Sequence, residues 1–374
     1  FISGGDSGGA KTHVLTLLDN LRKLNIEVEL LCIMEGVFTE EARELGIPVT
    51  IIPQEKRWDL SVLSKVKKFI NNCGCDLVHC HGARANYISL FIRGGVKVPM
   101  ITTLHSDYKL DFKDNPRKQL IYTPINAFAL RRYKHILAVT KAFKYMLMLR
   151  GFKEERIDVI YNGIDFSQEL QTYDMYTFFK NINVPHDLNK KYVGIAARLF
   201  AVKGVNVFLD MAKIIADKRE DIDFIILGNG EMWQQCQDFI KENKLENRVY
   251  MAGQVTDPVM MNSYYKYIDV NTLTSYSESF PYALLEGARC KCATVATAVG
   301  GIPEMIIDGD SGCLVQSGDS KALAECVEML CDKDDIRIRY GVNFYERAKE
   351  NFSSQAMANT HKKIYEKIIK ENVK

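Results

Sequence analysis

The chain has 374 residues, 47% of them hydrophobic and 26% charged. That length exceeds one typical core and predicts two globular domains, and the composition excludes a disordered chain. A formal net charge of +2 gives no reason to expect a nucleic-acid partner, and no apolar run is long enough to span a membrane.

Phe1-Ile2-Ser3 reads as the tail of a strand whose beginning is missing rather than as a signal peptide. Gly4-Gly5-Asp6-Ser7-Gly8-Gly9 follows it and precedes a helix beginning near Thr12. Glycines there let backbone approach a phosphate closely. The spacing is neither a dinucleotide fingerprint nor a P-loop, so this loop is half a site that needs a partner. Short β-rich runs then alternate with amphipathic stretches. Strands are expected at 26–33, 49–52, 76–80, 100–105, 135–140 and 157–161, with helices at 12–24, 60–70 and 83–92 among them. Such alternation predicts a parallel sheet wrapped by helices, with ligands at the carboxyl ends of its strands.

His79, His81 and His105 fall near strand ends, where a lone histidine is more often structural. His105 is the best functional candidate, because Thr102 to Asp107 closes a strand and opens a loop. Ten cysteines without a regular framework predict reduced thiols in a cytosolic protein. Cys73, Cys75, His79, Cys80 and His81 are the densest set of potential ligands. Residues 76–80 read as a strand, however, so neighbouring side chains point to opposite faces, and no second pair follows at finger-like spacing. No metal site is expected.

Residues 1–190 hold 26 Lys and Arg against 21 Asp and Glu. The excess concentrates in 97–150, with 11 basic and 3 acidic residues. Lys113, Arg117, Lys118, Arg131, Arg132 and Lys134 bracket the apolar stretch from Leu120 to Leu130. This is read equally as a basic amphipathic surface for anionic headgroups or as a solvated helix.

Asn162-Gly163 marks a sharp turn, and 165–191 reads as a polar, irregular linker. The alternation then restarts. Strands are expected at 192–197, 223–227, 248–252, 268–273, 293–298 and 313–315, and helices at 205–216, 232–242, 259–265, 281–288 and 321–331. Arg198 and Lys203 flank a strand-to-helix turn ending in Gly204, a cationic pair suited to a diphosphate or merely two exposed charges. Gly228-Asn229-Gly230 follows the next strand. Glu278-Ser279-Phe280-Pro281 then leads into a helix that carries Glu286, roughly 7 Å further along its axis. Ser279 is expected to cap that helix and Pro281 to occupy its first position. The free N–H groups of such a helix start favour an anion. Gly300-Gly301-Ile302-Pro303-Glu304 follows the next strand. Each loop alone is weak, but four at successive strand ends are considerably stronger.

In this order the motifs resemble those of retaining glycosyltransferases of family 4, which have the GT-B architecture. They run from Gly8-Gly9-Ala10-Lys11-Thr12-His13 through His105 and Asn162-Gly163-Ile164-Asp165. Ala197-Arg198-Leu199 to Lys203-Gly204, Leu227-Gly228-Asn229-Gly230, the Glu278/Glu286 pair and Gly300 to Glu304 complete them. The resemblance implies two Rossmann-like, doubly wound α/β domains facing across a cleft. Residues 1–168 would form the acceptor-side domain, with the terminal helix in 350–374 packing back on it. Residues 169–349 would form the linker and the donor domain. The donor implied is a nucleotide-diphosphate sugar, with UDP-sugar the default, and no metal or other cofactor. Arg198 and Lys203 would hold the diphosphate and Glu286 the ribose. Glu278 would meet the sugar hydroxyls, beside Ser279, Phe280, Pro281 and the Gly228-Asn229-Gly230 turn. Gly8 and Gly9 would approach the phosphates, and His105 the transferred sugar. The acceptor implied is a cell-surface glycan or a lipid-linked sugar, reached from the cytoplasm at the inner face of an anionic membrane. Alternatives are a nucleotide-sugar epimerase or hydrolase of the same architecture, or a binding module without turnover.

Overall fold

A computed structural model of the protein describes residues 1–5, 8–54, 59–109 and 116–373. Asp6, Ser7 and Lys113 of the expected loops lie outside the described residues. The chain divides into two units, residues 1–163 with 353–374 and residues 164–352.

In unit 1, α1 (Gly9–Lys23), β1 (Leu30–Cys32), α2 (Val37–Glu44), β2 (Val49–Ile51), α3 (Ser61–Asn72) and β3 (Val78–His81) follow one another. Then come α4 (Gly82–Ile92), β4 (Met100–Leu104), α5 (Pro116–Arg132), β5 (Ile136–Ala138), α6 (Lys141–Leu149) and β6 (Ile157–Val159). β3, β4, β5 and β6 form a parallel sheet in that order, and β1 pairs with β2. Phe1–Ser3 joins the two sets. Ile2 N–H donates to Leu31 O at 3.1 Å, Ile33 N–H to Ser3 O at 3.1 Å and His81 N–H to Phe1 O at 2.9 Å. The chain therefore winds one way through β1 and β2 and the other way through β3, and the strand order reverses beside Phe1–Ser3. In open α/β sheets such a reversal opens a crevice at the carboxyl ends of the strands.

Strand parity divides unit 1 into two faces, because successive side chains point oppositely. Val78, Cys80, Leu104, Ile136 and Ala138 pack in one cluster with Val66, Ile88 and Leu130 of α3, α4 and α5. Ile101, Leu137 and Val139 face the other way.

Unit 2 holds α7 (Met175–Asn181), β7 (Lys191–Ala196), α8 (Val205–Ala216), β8 (Ile222–Leu227), α9 (Trp233–Glu242), β9 (Val249–Gly253) and α10 (Pro258–Tyr267). It continues with β10 (Val270–Leu273), α11 (Tyr282–Arg289), β11 (Ala293–Thr297), α12 (Ile302–Met305), β12 (Cys313–Val315), α13 (Ser320–Asp332) and α14 (Asp334–Asn351). Its six parallel strands run in the order β12-β11-β10-β7-β8-β9, so the reversal falls between β7 and β10. Every residue of β8 is buried, as befits a strand covered on both faces; its one charged residue, Asp223, is paired with Lys190 Nζ at 2.9 Å and Arg248 Nε at 2.8 Å. Val193, Ile195, Phe224 and Ile226 meet α8, α9 and α13, whereas Tyr192, Ile225 and Leu227 meet α7 and α10.

The chain then returns to unit 1 as α15 (Ser354–Val373). Its Met357 and Ala358 pack on Leu17 and Leu21 of α1, and Ile368 closes over Ile101, Leu137 and Val139.

Four features differ from the sequence expectations. The strand expected over 26–33 is only three residues long. The irregular linker contains α7, which Asp174 caps by accepting from Thr177 N–H at 2.9 Å and which buries Phe178 and Phe179. α14 fills a stretch without an expected helix. Finally, α11 starts at Tyr282 with Pro281 as its N-cap and no side-chain cap. Ser279 therefore does not cap it. Instead its carbonyl accepts from Gly301 N–H at 3.0 Å, which commits that segment to the neighbouring loop.

The loop after β4 is anchored by a fork. Arg150 donates from Nη1 and Nη2 to the two carboxylate oxygens of Asp107 at 2.6 and 2.7 Å, and its guanidinium lies 4.9 Å from the Tyr108 ring centroid. Burial pushes the Asp107 carboxyl up, but the Arg150 guanidinium together with Lys109, whose N–H donates to Oδ1 at 2.9 Å, outweighs it and holds the group below its ordinary value. A depressed carboxylate contributes stability above its unfolded pKa of about 3.9 and loses it as pH falls through the native value. Asp107→Asn should therefore lower Tm at pH 7, and the gap from wild type should close as the pH is taken below about 4; thermal melts across that range check this.

Candidate functional site

In unit 2 the strand-order reversal is where the chemistry-bearing loops meet. The segment after β7 carries Arg198 and Lys203, and the segment after β10 carries Glu278. Backbone bonds zip the two together. Tyr276 N–H donates to Val202 O at 2.8 Å, and Thr274 Oγ1 donates to Gly204 O at 2.9 Å. Across this zipper Lys203 Nζ lies 2.5 Å from Glu278 Oε1, which also accepts from Ser275 Oγ at 2.7 Å. The Glu278 side chain is 8% exposed and that of Lys203 21%. A pair this withdrawn from water holds its attraction against a real desolvation cost, so neither charge is well placed alone.

The neighbouring loops lock onto this pair. Gly300 sits at φ +55°, and a Cβ there would lie 1.7 Å from Glu278 O, so only glycine allows the β11 loop to press on the glutamate backbone. Leu199 N–H donates to Asn229 O at 3.0 Å and Met232 N–H to Leu199 O at 3.0 Å. These bonds hold the Gly228-Asn229-Gly230 turn against the Arg198 segment. Arg198 itself is exposed, its guanidinium 5.3 Å from the Phe200 ring centroid. Phe280 is buried and meets Phe352 edge-to-face at 5.2 Å, anchoring the approach to α11. Burial pushes the Glu286 carboxyl above its ordinary value, partly offset by the Arg289 guanidinium. Unit 2 thus sets an exposed guanidinium, a lysine and a buried carboxylate on segments held to one another at the reversal, with Glu286 in the second turn of α11. Fixed cations of this kind can stabilise a diphosphate, and carboxylates can accept from sugar hydroxyls.

In unit 1 the corresponding reversal carries Gly8, Gly9 and a group of five histidines. Gly8 at φ +67° is the N-cap of α1. His81 lies at the end of β3 and His105 just beyond β4, in register on one face, because His81 pairs with Thr103. His81 Nδ1 and His105 Nε2 are 3.0 Å apart and share one hydrogen. His13 of α1 meets His105 edge-on at 4.8 Å and bonds Asn162 Oδ1 through Nδ1 at 2.9 Å. His79 bonds Tyr365 Oη at 2.6 Å and Thr103 Oγ1 at 2.7 Å. His361 donates from Nδ1 to Met357 O at 2.8 Å. Burial holds His13, His79 and His81 well below the ordinary imidazole value. It brings His105 and His361 down to about 4, with His361 adding to the effect on His105. All five are neutral near pH 7.

Comparison with known proteins matches both units to families. Residues 7–168 match the model for Glycosyltransferase Family 4, and residues 178–351 the model for Glycosyl transferases group 1. The chain is a family 4 glycosyltransferase with the GT-B fold. It is 26% identical to an uncharacterised glycosyltransferase of Methanocaldococcus jannaschii, over 96% of this chain and 95% of that protein. It is 25% identical to the N-acetyl-alpha-D-glucosaminyl L-malate synthase of Bacillus anthracis, over 84% and 81%. Among solved structures, HepE of Anabaena in complex with UDP-glucose superposes with a TM-score of 0.80 at 21% identity, covering 98% of each chain.

Within this glycosyltransferase the sequence signals reached Arg198, Lys203, Glu278, Glu286 and His105. They missed Ser275, His13, His361 and Tyr365. Ser275 carries no motif, but it stands three residues before Glu278 on the segment that must hold the carboxylate. His13 lies in the quoted glycine motif, and only the tertiary fold sets its ring beside those of His81, His105 and His361.

Proposed function

We propose that this glycosyltransferase moves a sugar from a UDP-sugar to a glycan or lipid-linked acceptor, with retention of anomeric configuration and without a required metal. The observation that carries this reading is the Lys203–Glu278 pair at the strand-order reversal of unit 2. A pair whose carboxylate is withdrawn from water gains little net stability from its attraction, so a ligand that offers each charge a better partner can exchange for it. In the proposed donor complex Lys203 turns to the diphosphate beside Arg198, and the Glu278 carboxylate, released from lysine, accepts from hydroxyls of the sugar. Glu286 accepts from the ribose. The cations then stabilise the charge that grows on the leaving diphosphate, a role otherwise filled by a metal ion. Uridine is supported by the UDP-glucose complex of the Anabaena neighbour. A lipid-linked acceptor is supported by the Campylobacter jejuni relative, 24% identical and named as an N-acetylgalactosaminyltransferase acting on a diphospho-undecaprenol sugar.

The expected result is transfer from a UDP-sugar to a polyprenyl-diphosphate-linked sugar in the presence of a chelator, with an axial product from an axial donor by NMR. Lys203→Met and Glu278→Gln should each lower the rate on the order of 100-fold. Free or isomerised sugar without acceptor transfer would favour the hydrolase or epimerase alternative, and transfer unchanged in Glu278→Gln would remove the role given to that residue.

α5 supports a membrane-side acceptor. Leu120, Ile121 and Phe128 are exposed beside Arg117, Arg131 and Arg132, which are exposed as well. Apolar side chains flanked by cations suit an anionic bilayer surface. Cosedimentation with anionic vesicles should be strong at low salt and lost in Leu120→Asp/Ile121→Asp; equal recovery with anionic vesicles and with none would refute membrane contact through α5.

A further inference from the structure

We propose that His13, His81 and His105 of unit 1 form a binding site for a borderline divalent transition-metal ion, of which Zn2+ is the type. All three residues belong to unit 1, and the proposal does not depend on the function proposed for the residues of unit 2. One ring nitrogen from each of the three lies within 4.8 Å of the other two. The decisive observation is His13 Nε2, which is buried and has no hydrogen-bond partner. Its Nδ1 is engaged with Asn162 Oδ1 at 2.9 Å, and since that oxygen can only accept, the proton sits on Nδ1. Nε2 is thereby left as a bare lone pair in a closed setting. A metal-ligating histidine has this form, with the far nitrogen donating to an oxygen that fixes the tautomer and the ring plane.

The other two nitrogens face each other at 3.0 Å in a hydrogen bond. Nitrogens bound to one tetrahedral zinc at about 2.0–2.1 Å stand roughly 3.3 Å apart, so the pair needs only a slight opening and His13 a small approach. Coordination leaves all three rings neutral. The ring that donates in the His81–His105 bond moves its proton to its other nitrogen, and its freed lone pair joins that of its partner on the metal. The three imidazoles balance none of the 2+ charge, which leaves the fourth position for a water, hydroxide or other anion, as in open three-histidine sites. His79 takes no part, because both its nitrogens are occupied by Tyr365 and Thr103.

The test uses the full chain, stripped with a chelator and dialysed. Calorimetry with Zn2+ should show one equivalent bound, and X-ray absorption of the zinc-loaded protein should show three nitrogens and one light atom around the metal, with no sulfur. His13→Gln and His81→Gln should abolish binding. Asn162→Leu should weaken it 10–100-fold by freeing the His13 ring, while Cys73→Ser/Cys75→Ser should leave it unchanged. No binding, or sulfur in the first shell of the wild-type protein, would overturn the proposal; that spectrum needs no variant and so decides the matter even if a histidine substitution unfolds the chain.

Discussion

The contact between Lys203 and Glu278 sets the terms for the rest of unit 2. An ion pair at 2.5 Å with the carboxylate 8% exposed survives only if the surrounding backbone leaves neither partner room to swing back into water. The β7 and β10 segments are zipped for that reason, Ser275 takes up further carboxylate valence, and Gly300 lets the next loop close on Glu278 from behind. The same constraint gives the pair its chemical interest. Two charges held out of water remain strongly coupled, so a ligand that offers a better partner to each can separate them.

Both units place their unusual polar groups where strand order reverses. In unit 2 this is the ion pair between β7 and β10, and in unit 1 the histidine group between Phe1–Ser3 and β3. The contrast in charge is physical. Unit 2 pairs its charges, whereas burial without a carboxylate partner keeps the five grouped histidines of unit 1 neutral. A neutral imidazole has a lone pair to offer a metal, and a charged one has none.

Much of this was legible in the sequence because parallel sheets impose simple patterns. The apolar run Phe224–Leu227 of β8 and the bounds of β12 and α8 follow from hydrophobic pattern and β-branched content. Arg198, Lys203, Glu278 and Glu286 could be picked out because each follows a strand of such a sheet. What failed to show did so for specific reasons. α14 buries only Tyr340, Gly341, Phe344 and Ala348, a narrow stripe interrupted by a glycine that reads as a helix breaker. In the structure Gly341 is a contact point, since a Cβ there would lie 2.1 Å from Lys291 O. Ser279 has the residue type of a cap, but its backbone is taken by Gly301. The histidine group draws its members from α1, β3, the loop after β4 and α15, and its His79–Tyr365 bond spans 286 positions, a separation no local pattern carries.

The central claim is that donor binding exchanges the Lys203–Glu278 pair for separate contacts, lysine to diphosphate and glutamate to sugar. Calorimetry of UDP and of UDP-glucose on wild type, Lys203→Met and Glu278→Gln addresses this directly. The account predicts that Lys203→Met weakens both ligands by tenfold or more, whereas Glu278→Gln leaves UDP as tight or tighter, its lysine being released, and weakens only the sugar nucleotide. Equal weakening of UDP by both substitutions would contradict it, because the pair would then be a structural strut and not an exchangeable one.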